Sequence, residues 1–195
     1  GKPTFNLADK IDELIERLDD HGFGEIDRNV VLRSFLAALE VDIYRTDWTK
    51  LADLKRTEFS KELPEIIVPT GDALERGATF LHTMGVRTNR LLPYAMQLVV
   101  LGAFFLKCPS PTIKQKEFLR RWFWVSSFTC RFASGNPSKD NALVAEFRDE
   151  VSQMNHPTSL KNMRLDGAAE PFPATFDMRS ARVRALLLVL LSLKP

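Results

Sequence analysis

Apolar residues recur every three or four positions along most of the chain, which is the period of an amphipathic helix. The first such segment starts after Asn6, a candidate N-cap, and Gly22 is suited to close its C-terminus. The second starts after Asp27, another candidate N-cap. Their apolar stripes comprise Leu7, Ile11, Leu14, Ile15 and Leu18 in the first helix, and Val31, Phe35, Ala38 and Leu39 in the second.

Prolines and glycines divide the next part of the chain. The pattern predicts a helix over 47–63 that Pro64 stops, because the residue before a proline is disfavoured in the helical conformation. Thr70 is the candidate cap of a helix over 71–84 that ends at Gly85. A further helix is predicted over 89–108, with a proline tolerated in its first turn.

Three more helical patterns follow, over 112–132, over 136–154 and over 177–193. The helix over 136–154 has Pro137 and Ser138 at its start. No alternating run of β-branched residues lies between hairpin turns, so we expect no sheet. We therefore predict an all-α fold, a compact domain of about seven or eight helices, with residues 1–195 forming a single helical domain.

Three segments are apolar almost all round, which is typical of buried helices: Leu91–Leu106, Phe118–Phe132 and Val183–Leu193. We predict that these three helices lie at the centre of the domain. The longest charge-free run is shorter than the roughly 18–20 residues that a membrane-spanning helix needs. The sequence therefore predicts buried core helices and no membrane partner.

Two segments break the helical pattern. Residues 133–140 form a short turn-rich loop, and residues 155–176 are long and aperiodic. A long aperiodic segment in a compact domain often marks a functional or mobile loop, but plain surface disorder has the same signature. Both interpretations of 155–176 stay open.

The charge is distributed unevenly, although the net charge of the 195 residues is only +2. Residues 1–75 carry 10 Lys and Arg against 17 Asp and Glu, whereas residues 76–195 carry 17 against 8. This asymmetry indicates either a surface that faces a polyanion or two halves of the chain that attract each other.

The aromatic helix over 117–132 interleaves tryptophans and phenylalanines with arginines. Placed 100° apart, its apolar residues form one broad face: Phe118, Trp122, Val125, Phe128 and Phe132. Such a face is usually core packing, and the alternative is a surface platform for nucleic-acid bases. We expect Trp122 to be buried.

A basic stripe lies opposite that face, formed by Lys116, Arg120, Ser127 and Arg131. With Lys139 in the adjacent loop, these cations are the candidate nucleic-acid-binding residues, suited to phosphates. A solvated charged rim is the alternative, with Arg120 packed over Trp124. We expect the stripe to be exposed.

The chain carries no motif for catalysis, for a cofactor or for a metal. Its three histidines lie far apart, and no phosphate-cradling glycine loop or nucleophile motif occurs. Cys108 and Cys130 form no disulfide framework, which together with the lack of a visible signal peptide favours a cytoplasmic location. We expect no cofactor, no metal and no catalysis by this chain alone.

Several stretches together resemble the helical region of GmrSD-type proteins: residues 89–106, residues 117–147, residues 178–195 and the N-terminal helix. These are bacterial proteins of modification-dependent restriction and phage defence. In that family, a ParB/sulfiredoxin-like head with an Asp-Gly-Gln-x-Arg motif binds nucleotide and supports DNA cleavage, and many members add an HNH-type nuclease. Neither motif occurs here, so no catalytic residue carries over.

The resemblance implies a helical module that adjoins nuclease domains in a longer protein. That parent protein would be a nucleotide-dependent endonuclease, and this chain a fragment that begins with Gly1 rather than Met. We therefore expect a non-catalytic domain that positions DNA or the nuclease modules through weak, non-specific phosphate contacts. The alternatives are a protein-interaction or dimerisation scaffold, with residues 1–75 as an acidic docking surface, and an autonomous enzyme. The oligomeric state is not predicted.

Overall fold

The computed structural model of the chain describes residues 5–44, 61–168, 171–172 and 174–193. Within these ranges it contains no strand and seven α-helices: α1 (Leu7–Asp19), α2 (Arg28–Ala38), α3 (Glu62–His82), α4 (Ala95–Lys107), α5 (Ile113–Phe128), α6 (Pro137–Asp149) and α7 (Ala181–Ser192). The prediction of an all-α fold is confirmed. Most of the helix predicted over 47–63 lies outside the described residues.

The first two helices begin where the sequence predicts. The side chain of Asn6 accepts a hydrogen bond from the Ala8 N–H at 3.0 Å, and the side chain of Asp27 accepts one from the Asn29 N–H at 2.7 Å. After α1 the chain reverses at Gly22, whose φ of +75° favours glycine. A Cβ at Gly22 would also collide with the carbonyl oxygen of Arg87, so this close approach requires glycine as well.

Helix α3 is longer than predicted, and two expectations about it are wrong. Pro64 does not stop a helix, because it lies in the first turn of α3, where its missing N–H has no helical partner to lose. Thr70 is not a cap, because α3 continues through Pro69 and buries Thr70 in its interior. Burial of α3 against its neighbours offsets the cost of an interior proline.

Helix α4 is the centre of the domain, as predicted for this apolar segment. Ten of its residues are buried, and it packs against α2, α3 and α6. Two glycines bring α3 and α4 close together. A Cβ at Gly77 would lie 3.1 Å from the side chain of Leu98, and a Cβ at Gly102 would lie 3.0 Å from that of Leu74.

The predicted start of α4 is wrong by six residues. Residues Asn89–Leu91 form a separate 3₁₀ turn, and α4 begins only at Ala95. Pro93 therefore precedes the helix, because Leu92 before it takes the extended conformation that a following proline favours. The N–H of Tyr94, the N-cap residue of α4, donates a hydrogen bond to the Gln97 side chain at 3.2 Å.

Helix α7 is not central, although its sequence is apolar almost all round. Only Ala181, Val183, Ala185 and Leu188 are buried, and the helix lies at the edge of the domain against α5 and the 3₁₀ turn over Asn89–Leu91. Its C-terminal leucines are exposed, with Leu193 at 73%. The predicted central position of Val183–Leu193 is wrong. A helix with apolar residues on all sides can still lie at the edge of a domain, because its sequence does not specify how many other helices pack against it.

The aperiodic segment is anchored to the domain over residues 160–165. The buried carboxylate of Glu146 accepts hydrogen bonds from the Asn162 N–H at 3.0 Å and from the Asn162 side chain at 2.8 Å. Met163 and Leu165 are buried in the same region. Plain surface disorder therefore does not describe this part of the segment.

None of the described helices is both long and apolar enough to cross a membrane.

Candidate nucleic-acid interface

Helix α5 carries the candidate interface, and its start is fixed by a capping box. The Thr112 hydroxyl accepts a hydrogen bond from the Gln115 N–H at 3.2 Å, and the Gln115 side chain accepts one from the Thr112 N–H at 2.8 Å. The following α6 packs beside it, and the Trp122 ring lies 4.8 Å from the ring of Phe147. The start and orientation of α5 are therefore well specified by its sequence.

The aromatic face of α5 is core. Phe118, Trp122 and Phe132 are buried, as is Phe123, whereas Val125 and Phe128 are half-buried. The expectation that Trp122 is buried is confirmed, since none of its surface reaches solvent. The surface platform of aromatic rings is thereby ruled out for these buried residues, and their contribution is to stability.

Ser127 is not part of an exposed stripe. Both Ser126 and Ser127 are fully buried, and the Gln97 side chain donates to each of their hydroxyls at 2.9 Å. Both hydroxyls in turn donate to the Phe123 carbonyl, at 3.0 and 2.7 Å. The buried Gln97 amide thus joins α4 to α5, and this polar contact has no signature in a hydrophobic pattern.

Arg131 does not extend the basic stripe either, because α5 ends three residues before it. Cys130 takes a left-handed conformation with φ of +53°, and the Arg131 N–H donates to the Ser126 carbonyl at 3.1 Å, which closes the helix. The chain then leaves the helical register. The Arg131 side chain is only 12% exposed and binds the buried carboxylate of Asp140 at 2.9 Å.

Tyr44 binds the same carboxylate as Arg131. The Tyr44 hydroxyl donates to the other oxygen of Asp140 at 2.5 Å, and the guanidinium of Arg33 lies 4.5 Å from the Tyr44 ring centre. Burial, followed by the hydrogen bond to Asp140, raises the pKa of Tyr44 to about 12. The charge of Arg131 is therefore compensated within the domain, so this residue is poorly suited to grip a phosphate.

Lys139 is exposed on the first turn of α6, as its position in a turn-rich segment suggests. Its carbonyl accepts a hydrogen bond from Arg131 at 3.0 Å. The predicted loop over 133–140 is shorter than expected, because α6 already begins at Pro137. Lys139 does not line the cleft that Lys116 and Arg120 share.

Lys116 and Arg120, one helical turn apart on α5, line a common cleft of about 480 Å³. Arg76 of α3 lines the same cleft. The other lining residues come from α3, α4 and the turn before α5, and they are Thr79, Phe80, Thr83, Phe105, Pro109, Ser110 and Pro111. The cleft therefore has three cations, hydroxyl groups and an apolar floor.

The electrostatics of this cleft differ from those of the Arg131 site. No described residue that lines it is an Asp or a Glu. The two acidic neighbours of these cations in sequence are paired elsewhere, Glu117 with Lys114 at 2.9 Å and Glu75 with Arg17 at 2.8 Å. Neither Lys116 nor Arg120 forms an ion pair with a described carboxylate, and no described cation–π contact joins Arg120 to Trp124. The cleft is therefore a cationic surface without internal compensation by these groups.

The sequence interpretation missed Arg76, which lies on another helix 44 positions before Arg120. Only the packing of the helices brings the two residues to one cleft, so no local pattern identifies it. The described residues contain no group of His, Cys, Asp and Glu side chains that could hold a metal ion.

Comparison with protein-family models, with curated proteins and with solved structures gave no match to this chain. The resemblance to the helical region of GmrSD-type proteins therefore stays a prediction. The geometry of the cleft is the basis for assigning a function.

Proposed function

We propose that this chain is a non-catalytic helical domain that contacts the phosphates of nucleic acid through the cleft between α3 and α5. One observation carries the proposal: Arg76, Lys116 and Arg120 come from two helices, and no described acidic residue lines the cleft with them. Phosphate contacts by Lys and Arg supply most of the affinity of non-specific nucleic-acid binding. The basic balance of residues 76–195 supports the same conclusion.

Binding to duplex DNA is weak and tolerant of sequence. The cleft offers cations and hydroxyl groups within a concavity, and it offers no projecting helix or ribbon that enters a groove. Phosphate contacts alone give dissociation constants of roughly 10⁻⁴–10⁻⁶ M at physiological salt, and the affinity falls as salt rises. The domain therefore positions DNA and does not select it.

In the longer protein that the family resemblance implies, this domain positions DNA or the adjoining nuclease modules. The sequence stretches that resemble GmrSD-type proteins support this part of the proposal. Reading the gene upstream of Gly1 tests it. An encoded Asp-Gly-Gln-x-Arg motif would support the assignment to a restriction or defence protein, and an unrelated upstream sequence would oppose it.

A titration of labelled duplex DNA at low salt tests the contact with phosphates. We expect the parent protein to bind, and the variant with Arg76, Lys116 and Arg120 all replaced by Ala to bind much more weakly with a flatter salt dependence. The matched control replaces three other exposed cations, Arg87, Arg121 and Lys139, and so removes the same charge. Equal loss in both variants would show that only net charge matters, and absence of binding by the parent would refute the proposal.

A second candidate function is protein interaction or dimerisation, which the surface of α7 favours. Leu190 is 50% exposed, Leu191 is 41% exposed and Leu193 is more exposed than either. Exposed apolar groups of this kind are typical of interaction surfaces when they are contiguous. Sedimentation of the parent and of the Leu190→Ser/Leu193→Ser variant tests this function. A concentration-dependent dimer that the variant loses would support it, and a monomer at all concentrations would oppose dimerisation.

A further inference from the structure

The cleft between α3 and α5 has an apolar floor that phosphate binding alone does not use. Phe80 of α3 and Phe105 of α4 form this floor, with their ring centres 6.0 Å apart and their planes tilted by 54°. Pro109 and Pro111, in the turn before α5, also line the cleft. The three cations line the same concavity, so apolar and cationic groups face one shared space of about 480 Å³.

This volume lies within the roughly 300–1,000 Å³ that is typical of sites for small ligands. A site that binds only a phosphodiester backbone needs a basic surface and no apolar floor. A nucleotide has a phosphate at one end and at the other a flat base whose faces pack against apolar groups, which matches the two kinds of group that line the cleft. The Ser110 hydroxyl is available to the polar edge of a base or to a sugar, whereas the Thr79 hydroxyl lies 3.5 Å from the His21 Nδ1 atom.

A duplex cannot place a base in the cleft, because its bases are paired and stacked and expose only their edges in the grooves, beside the sugars and phosphates. An unpaired nucleotide can place its base in the concavity while its phosphate contacts the cations. Proteins that bind single strands commonly combine a basic groove with apolar or aromatic contacts to the bases.

We propose that the cleft binds one unpaired nucleotide of a single strand, with the phosphate held by Lys116, Arg120 and Arg76 and the base against Phe80 and Phe105. This inference rests on the proposed contact between the cleft and nucleic-acid phosphates, and it adds that the preferred partner is single-stranded. The base is recognised through its apolar surface, so the preference among base types is small.

The experiment compares a labelled oligothymidine single strand with a duplex of the same length, using the full chain at low salt. Ser110→Trp is the informative variant. Ser110 is exposed in the turn at the edge of the cleft, so a tryptophan there fills the apolar space and leaves all three cations in place. Ser134→Trp, in an exposed turn outside the cleft, is the matched control.

We expect the parent protein to bind the single strand roughly tenfold or more tightly than the duplex, which is the scale of contacts to one base. Ser110→Trp should remove this preference, whereas Ser134→Trp should retain both the preference and the duplex affinity of the parent. Thymidine monophosphate should compete with the single strand better than inorganic phosphate does.

Equal binding of single strand and duplex by the parent would overturn the single-strand inference and leave the phosphate contact intact. Retention of the preference by Ser110→Trp would also overturn it, because the base would then bind elsewhere. Failure of the parent to bind either form would instead refute the proposed function, so the two proposals fail in distinguishable ways.

Discussion

Basic residues near the two ends of α5 lie in opposite electrostatic settings, with Lys116 and Arg120 in its first half and Arg131 three residues past its C-terminus. At the N-terminal end, Lys116 and Arg120 line a cleft in which no described lining residue is acidic. At the C-terminal end, Arg131 is almost buried and binds Asp140, which also accepts a hydrogen bond from Tyr44. A cation is therefore available to an external anion at one end and is committed to the fold at the other.

This difference shows that a charged stripe in a sequence does not tell which of its cations are paired within the fold. A helical projection places Lys116, Arg120 and Arg131 on one side of a helix, but it assumes that the helix continues. The helix ends at Phe128, and the left-handed residue Cys130 redirects the chain. Charge pairing depends on a carboxylate on another helix, and only the tertiary structure brings it into place.

The largest expected effect concerns the buried face that supports both ends of α5. Trp122→Ala should lower the free energy of unfolding by roughly 3–5 kcal/mol, because it leaves a large cavity beside Phe147. Urea denaturation followed by circular dichroism measures this change. A variant as stable as the parent would mean that α5 faces the other way, and the comparison between its two ends would fail.

The next effect separates the two ends directly. Arg131→Ala should lower the free energy of unfolding by about 1.5–3 kcal/mol, because among the described residues the buried Asp140 then keeps only its hydrogen bond from Tyr44. Arg120→Ala, the matched change at the other end, should stay within about 0.5 kcal/mol of the parent. Equal stability losses in the two variants, measured by the same denaturation, would contradict the contrast.

A smaller effect tests the tyrosine at the Arg131 site. Tyr44→Phe should lower the free energy of unfolding by about 1–2 kcal/mol through loss of the hydrogen bond to Asp140. The pKa of Tyr44 is raised from 10.0 to about 12, so the folded state favours the neutral phenol. The stability that this provides is present below pH 10 and is lost as the pH rises through about 12.

Tyrosinate absorbance measures that pKa, since the chain has only two tyrosines. Burial also raises the pKa of the other one, Tyr94, with a further contribution from its hydrogen bond with Cys130. Both should therefore ionise above the ordinary tyrosine pKa in the folded protein, and Tyr44→Phe should remove one of the two steps. Ionisation of Tyr44 near its ordinary pKa would show that it is not bound to Asp140.

Local signals in the sequence predict much of the fold. The side chains of Asn6, Asp27 and Thr112 identify helix starts because a cap depends on residues within one turn. The burial of α4 also follows from its sequence. The extent of α3 does not follow from its sequence. Pro64 is tolerated because it lies in the first turn, and Pro69 is tolerated because the helix is buried against its neighbours. The exposed leucines of α7 were missed for a similar reason, since the number of helices packed against it is a property of the whole domain.

The candidate site is only partly predictable. Lys116 and Arg120 are one turn apart on one helix, and their shared surface follows from that spacing. Arg76 lies on α3, and the apolar floor formed by Phe80 and Phe105 comes from α3 and α4. These contributions depend on how three helices pack, and the hydrophobic pattern of each helix alone contains no information about that arrangement.

The most direct test of the central claim compares duplex binding by Arg120→Ala and Arg131→Ala at low salt, under conditions where both variants are folded. The account predicts that Arg120→Ala lowers the affinity and the salt dependence, whereas Arg131→Ala binds as the parent does, because its cation is already paired with Asp140. Equal losses of affinity in the two variants would contradict the account and restore a single basic stripe along α5.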